Sequence, residues 1–341
     1  MQKKYLIILI VLLAGLTTWF GLRHKGSGTA DKNKTAFAID NVSVISKIFI
    51  SNRQEGNLLL EKKDGIWYVN GKFEASKPAI EFFLNETIKK VRVRGPVPKA
   101  ARENVIAAMA STATKIEIYV NSELEKVYYV GQPTSDMTGT YMYLQDNKDP
   151  YITHIPGFDG FLSSRFAVQE NEWVSKIIYD LKAQDIKSVD LLYPSMVNES
   201  FTIGRKAKDG DFEITASTNA AVGKLNYPAI KSYFSLFNSK SCEGFAEFDA
   251  LKFDTLLKTE PFCVLTLSDT KNRISILRVY KRLAAEKDHG LTDNKGNRLM
   301  YDPARYIAVY NNEKRVMVIQ DLVFGPILIK YSDFFIKQNS D

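Results

Sequence analysis

Residues 62–91 read KKDGIWYVNGKFEASKPAIEFFLNETIKKV, and this stretch decides the fold. Lys63-Asp64-Gly65 supplies a tight turn, because Asp and Gly accept the backbone angles that turns demand. Ile66-Trp67-Tyr68-Val69 has the β-branched and aromatic composition of a strand. A helix is predicted from Ser76 to about Val91. Ser76 is its N-cap, Pro78 lies in the first turn, and Ile80, Phe83, Leu84, Ile88 and Val91 form one apolar stripe.

Further along, the chain repeats this series. Lys208-Asp209-Gly210 is followed by Phe212-Glu213-Ile214 and then by Asn226-Tyr227-Pro228-Ala229-Ile230. In both places a capping residue stands two positions before a helix-starting proline. Ile186 to Leu192 corresponds to Ile45 to Ser51, and Arg305 to Asn312 with Val316 to Ile319 lines up with Thr140 to Asn147 and Tyr151 to His154. Several correspondences in one order read as internal duplication.

The strands between these landmarks are short alternating runs. Ile45 to Ile50 and Leu58 to Glu61 make a first hairpin; Lys115 to Val120, Lys126 to Val130, Tyr141 to Leu144 and Tyr151 to Ile155 follow a second helix predicted near 100–110. The expected class is α+β: an N-terminal transmembrane helix, then two tandem modules, each a mainly antiparallel sheet with a packed helix. The segments are a signal-anchor at 1–25, a flexible linker at 26–44, a first module at 45–170 and a second at 171–341.

Tyr5 to Leu22 is apolar or small throughout, with Lys3 and Lys4 before it and Arg23, His24 and Lys25 after it. Its helical length, roughly 27 Å, suffices for a bilayer core. Trp19 and Phe20 close the segment as an interfacial anchor would, and no cysteine lies nearby for lipoprotein processing. An uncleaved anchor in the inner membrane, with the remaining chain outside the cytoplasm, is the reading preferred over a cleaved signal peptide.

The net charge is +7 over 341 residues. That favours acidic surfaces in general, but no aromatic-plus-basic motif accompanies it, so nucleic acid is not an expected partner. Cys242 and Cys263 match no zinc spacing. They are either buried thiols or, in an oxidising compartment, a disulfide worth up to roughly 3 kcal/mol.

The run Trp67-Tyr68-Val69-Asn70-Gly71 before the helix resembles the bacterial envelope family called domain of unknown function 4340. So do Tyr129-Val130-Gly131, Gly139-Thr140-Tyr141, Ser164-Arg165-Phe166 and Trp173, leading to Leu181, Ile186 and Val189. The resemblance spans roughly 45–195 and carries no assigned reaction. It implies a membrane-tethered extracytoplasmic protein, some relatives of which accompany transport or gliding-type ABC systems.

No nucleophile elbow, phosphate loop, dinucleotide fingerprint or zincin motif is present, and no catalytic, cofactor-binding or metal residue is assigned. His154 lies in a strand, with Ile319 taken as its counterpart, and is read as a packing position; His289 is read as solvated. Asp288 to Arg298 departs from a calcium loop, with Lys295 at the third position from Asp293, and is read as a hairpin turn. The second module spends Lys281 to Ala304 on a connection that is short in the first, so Lys281, Arg282, Lys287, His289, Asn294 and Arg298 form the expected contact surface. Arg92 and Arg94, on an expected strand edge, are added to it. The expected function is an envelope interaction or scaffold protein, with no enzymatic activity and no cofactor. It has the bilayer as partner through 5–22, and an envelope protein such as an ABC-transporter subunit as the other. The alternative is a binding module for cell-wall glycan or another anionic envelope ligand.

Overall fold

Apolar residues alternate with polar ones through the strands, and a period of two puts every second side chain on one face. In the computed structural model, which describes residues 34–147, 149–206, 212–218, 224–284, 292–293, 295–311 and 313–336, that face is the core of each of two compact units. The chain divides between Ser175 and Lys176. Both units are α+β with antiparallel pairing throughout the described sheets.

The first unit contains β1 (Ile45–Asn52), β2 (Gly56–Lys63), β3 (Ile66–Val69), β4 (Phe73–Glu74), helix α1 (Lys77–Phe82), β5 (Arg92–Pro96) and helix α2 (Lys99–Thr112). It continues with β6 (Thr114–Val120), β7 (Glu123–Pro133), β8 (Thr140–Leu144) and β9 (Tyr151–His154). Its strand order is β4-β3-β2-β1-β6-β7-β8-β9-β5. The turn between β2 and β3 uses Asp64 and Gly65, both at positive φ (49° and 84°), which matches the twist of a two-residue hairpin. Ser76 caps α1 by accepting the Ala79 amide at 3.4 Å.

The helix does not run on as ordinary α-helix. From Phe83 to Ile88 it widens into a π turn, in which the Lys89 amide reaches back to the Leu84 carbonyl. The extra residue per turn brings Phe83, Leu84, Thr87 and Ile88 all inward. Phe83 meets Phe166 at 5.4 Å and Trp173 at 4.8 Å between ring centroids, both edge-on. Arg165 donates to the Glu86 carbonyl and the Thr87 hydroxyl. Arg165, Phe166 and Trp173 are therefore the clamp that holds this helix down.

Two expected boundaries shift. Phe37, Ala38 and Ile39 fall in the expected flexible linker, yet they are buried, and the Ile39 amide donates to the Ile88 carbonyl. A phenylalanine that gains some kcal/mol by burial is drawn into the sheet's open face. Residues 171–175 fall in the expected second module but close the first unit: the Ser76 amide donates to the Trp173 carbonyl at 2.6 Å and Ala75 bridges Val174. Among the described residues no helix is long and apolar enough to cross a membrane, and the expected anchor at 5–22 lies outside them.

The second unit contains β10 (Ile177–Tyr179), β11 (Ile186–Leu192), β12 (Phe201–Arg205), β13 (Phe212–Ala216), helix α3 (Tyr227–Tyr233), β14 (Lys240–Ser241), β15 (Gly244–Ala246) and helix α4 (Ala250–Lys258). It ends with β16 (Cys263–Asp269), β17 (Ile274–Leu283), β18 (Tyr301–Tyr310) and β19 (Val316–Gln320). The main sheet runs β13-β12-β11-β16-β17-β18-β19-β15, with β10 and β14 as a separate pair.

Apart from β4, which has no counterpart in the second sheet among the described residues, this order matches that of the first unit, and so does the register. Ile48 faces Leu60 and Ile118; Val189 faces Ile203 and Leu267. A register shift interrupts β1 between Ile45 and Lys47 and β11 between Ile186 and Ser188. Asn226 caps α3 through the Ala229 amide, and its own amide donates to the Phe334 carbonyl, as Ser76 does to Trp173. Trp67 opposite Lys62 corresponds to Phe212 opposite Arg205. The ladder corrects one pairing from the sequence. Ile152 opposite Tyr141 corresponds to Val318 opposite Ile307, so Thr153, not His154, is the counterpart of buried Ile319. A one-residue slip changes the face of a strand, and His154 sits half-buried on the other face.

Candidate functional site

With two units in one register, equivalent positions that carry different side chains are where the units diverge. Lys126 on β7 faces Ile118; Ser275 on β17 faces Leu267, the residue equivalent to Ile118. In the first unit the Lys126 ammonium donates to the carbonyls of Ala36 and Ala38 at 2.7 and 2.8 Å. Burial lowers the lysine below its ordinary value, with Glu125 and Asp40 partly opposing this. The long arm thus fills the space between the sheet and the lead segment around Phe37.

Ser275 has no such arm. A pocket of about 300 Å³ opens in its place, lined by Tyr179 and Asp180 of the lead segment, by Asp269, Arg273 and Ser275, and by Tyr310. Tyr179 is 2 % exposed, and its ring sits edge-on to Phe237 at 5.6 Å and to Tyr310 at 5.8 Å. Its hydroxyl oxygen is buried and has no hydrogen-bond partner. Burial pushes the Tyr179 phenol far up; Ser275 faces it and eases that push, but the two fall short of hydrogen-bond geometry. Burial also raises Tyr310, with Ser275 again working the other way.

Asp269 closes one end. Burial raises its carboxyl, but the Arg273 amide and guanidinium and the Lys271 amide together outweigh burial and hold it low. It accepts from the Lys271 and Arg273 amides at 2.9 and 2.8 Å and pairs with the Arg273 Nε at 2.6 Å. Asp180, exposed, accepts from the Ser239 amide at 3.4 Å. The lining therefore carries two carboxylates against one guanidinium.

The residues expected to form a contact surface lie elsewhere. Lys281 stands over the rings of Phe262 and Tyr301, at 5.6 and 5.3 Å. Arg282 pairs with the buried carboxylate of Asp302 at 2.6 Å. Arg298 is exposed and bridges Thr292, continuing the β17–β18 hairpin outward. Lys287, His289 and Asn294 lie outside the described residues. Asp293 accepts from the Lys295 and Asn297 amides and Gly296 takes positive φ, so this stretch is a self-contained turn. Among the described residues no cluster of three metal-ligating side chains occurs.

Arg92 and Arg94 are on β5, the edge strand beyond β9. Arg92 donates to the Lys89 and Val91 carbonyls, and Arg94 to the hydroxyl and carbonyl of Thr138. Both guanidiniums serve to finish the chain's own edge. Cys242 and Cys263 are separate buried thiols, not the disulfide weighed from the sequence. Burial raises both, Cys242 to about 11. Their apolar surroundings in the second core disfavour the thiolate forms. A second, polar cleft in the first unit, about 640 Å³, is lined by side chains that already bond one another, such as Gln169 to Glu55 and Asn52 to Thr114.

Sequence reasoning missed Tyr179, Asp269, Ser275 and Tyr310. The signal was there in the pairing of Lys126 with Ser275, but only a strand-by-strand register exposes it. Comparison with known protein families, with curated proteins and with solved structures finds no match for this chain.

Proposed function

We propose that this chain is a membrane-tethered interaction protein of the bacterial envelope, built by duplication of one α+β module and free of enzymatic activity. The single observation behind this reading is the pocket at Ser275. One unit fills the position with its own Lys126, and the other leaves it open under an unpartnered buried hydroxyl. Each unit keeps an unpartnered buried hydroxyl, Tyr128 in the first and Tyr179 in the second, so what sets the second apart is the open space at Ser275, and that space is available to a partner.

Residues 5–22 hold it in the inner membrane as a single-pass anchor, and both units lie outside the cytoplasm. The apolar length, the closing Trp19 and Phe20 and the basic flank support this placement. The resemblance to the domain of unknown function 4340 supports an accessory role beside an ABC-type transport or gliding system. The alternative, an anionic-polymer surface, is weaker because Arg92, Arg94, Lys281 and Arg282 are all engaged within their own unit.

Fractionation and proteolysis test the placement. The chain is expected in the carbonate-resistant membrane fraction, released by deletion of residues 5–22, and degraded when protease is added to spheroplasts. Survival of the two units in that digestion would overturn the extracytoplasmic assignment.

A further inference from the structure

We propose that the second unit's pocket takes a primary ammonium group, presented by a lysine side chain of the partner protein. This rests on the reading of the second unit as a docking module and names the chemistry it reads.

The first unit shows how the fold receives such a group. Lys126 Nζ lies against two carbonyls of the lead segment, Ala36 and Ala38. The second unit's lead segment holds the matching place. The Leu181 amide donates to the helix-end carbonyl of Phe237 as the Ile39 amide donates to that of Ile88. Counting back from Leu181 and Ile39, Ile178 and Asp180 stand where Ala36 and Ala38 stand, and both line the pocket. Ser275, equivalent to Lys126, contributes only a hydroxyl.

The remaining groups suit a cation. Tyr179 Oη lacks a partner and can accept a hydrogen bond from an ammonium. Tyr179 and Tyr310 both line the opening, and the negative face of an aromatic ring attracts an ammonium ion. Asp180 and Asp269 outnumber Arg273, whose guanidinium is already held by Asp269 at 2.6 Å. An anionic guest would meet both carboxylates. A neutral apolar guest would leave the Tyr179 hydroxyl unpartnered and desolvate Asp180, whose single hydrogen bond among the described residues is to the Ser239 amide.

The test is a calorimetric or NMR titration of the full chain in detergent with Nα-acetyl-lysine amide, its neutral isostere Nα-acetyl-norleucine amide, and putrescine. The lysine amide should bind at least about tenfold tighter than the norleucine amide, the worth of one charge-assisted hydrogen bond. Ser275→Lys, which supplies the resident arm of the first unit, should abolish that binding, and Ser275→Met should do the same by filling the space. Tyr179→Phe, which keeps the ring, should weaken it by roughly three- to tenfold. Equal binding of the lysine and norleucine amides, or no binding of the lysine amide, would overturn the ammonium assignment while leaving the docking reading to its own cross-linking test. Putrescine binding as tightly as the lysine amide would assign the pocket to free amines and overturn the docking reading instead.

Discussion

Replacing Tyr179 by phenylalanine is expected to stabilise the second unit. The substitution removes one oxygen and leaves the ring where it packs against Phe237 and Tyr310. That oxygen is buried and unpartnered, and a buried hydroxyl without a hydrogen bond costs about 1–3 kcal/mol relative to one left in water. Deleting it recovers most of that cost, so a gain of about 1–2 kcal/mol is expected. A paired tyrosine would respond in the opposite sense, losing about 1 kcal/mol. With a urea slope of about 2 kcal/mol per molar, the midpoint should rise by about 0.5–1 M. The chain offers an internal control. Its three tryptophans, Trp19, Trp67 and Trp173, all precede Lys176, so tryptophan fluorescence follows the chain before that division alone. Far-ultraviolet circular dichroism follows both units. Tyr179→Phe should raise the dichroism transition that fluorescence does not report and leave the fluorescence transition unmoved. A midpoint that falls would refute the reasoning, because it would mean that the hydroxyl is satisfied in the folded protein.

Three further outcomes rest on the same geometry. His154 is lowered from its ordinary value of 6.5 by burial and then by Arg94, so the unfolded chain binds more protons between the two values. First-unit stability should therefore be full above about pH 6.5 and decline below it until the depressed value is passed. His154→Gln, which installs the residue found at the equivalent Gln320, should flatten that limb in fluorescence-monitored melts. Gly139→Ala should destabilise the first unit by about 1–3 kcal/mol, since an added Cβ would stand 2.8 Å from Ile152 Cγ2 and 3.3 Å from the Thr153 carbonyl oxygen. Thiol reagent should label neither cysteine in the native chain and both in denaturant without reductant, as two buried free thiols require. A denatured chain that stayed unlabelled would contain the disulfide instead.

Much of the architecture was legible in short-range chemistry. The Asp64-Gly65 turn, the Ser76 and Asn226 caps and the alternation of Ile48, Ile50, Leu58 and Leu60 each have a local cause, and each stands where the residues place it. The π turn at Phe83–Ile88 was not legible, because its contacts are tertiary: Phe83 packs on Phe166 and Trp173, and Arg165 binds Glu86 and Thr87, all from far along the chain. The ends of the units were misplaced for a similar reason. Phe37 follows the polar run that ends at Thr35 and Trp173 sits inside another, and only their distant contacts bury them. The glycines of the Tyr129-Val130-Gly131 and Gly139-Thr140-Tyr141 stretches were visible as motifs, while their meaning, close approach by Met109 and Ile152, was not.

The candidate site was harder still to see. Loop length drew attention to Lys281 to Ala304, where Arg282 and Asp302 turn out to be paired within the hairpin. The informative difference was a single residue inside matched strands, Lys126 against Ser275. Neither residue type signals a site alone. It takes the ladder to show that they occupy one position, and the cavity to show the consequence of losing the lysine.

The central claim, that the second unit alone docks a partner through this pocket, is tested most directly by photo-cross-linking in cells. Ile274 at the pocket rim and its first-unit equivalent Glu125 are both exposed, so either accepts a photoreactive side chain without disturbing a core. A discrete protein adduct from position 274, absent from position 125 and lost when Ser275→Lys is added, is the result this account predicts. Identical adducts from the two positions, or an adduct at 274 that survives Ser275→Lys, would contradict it.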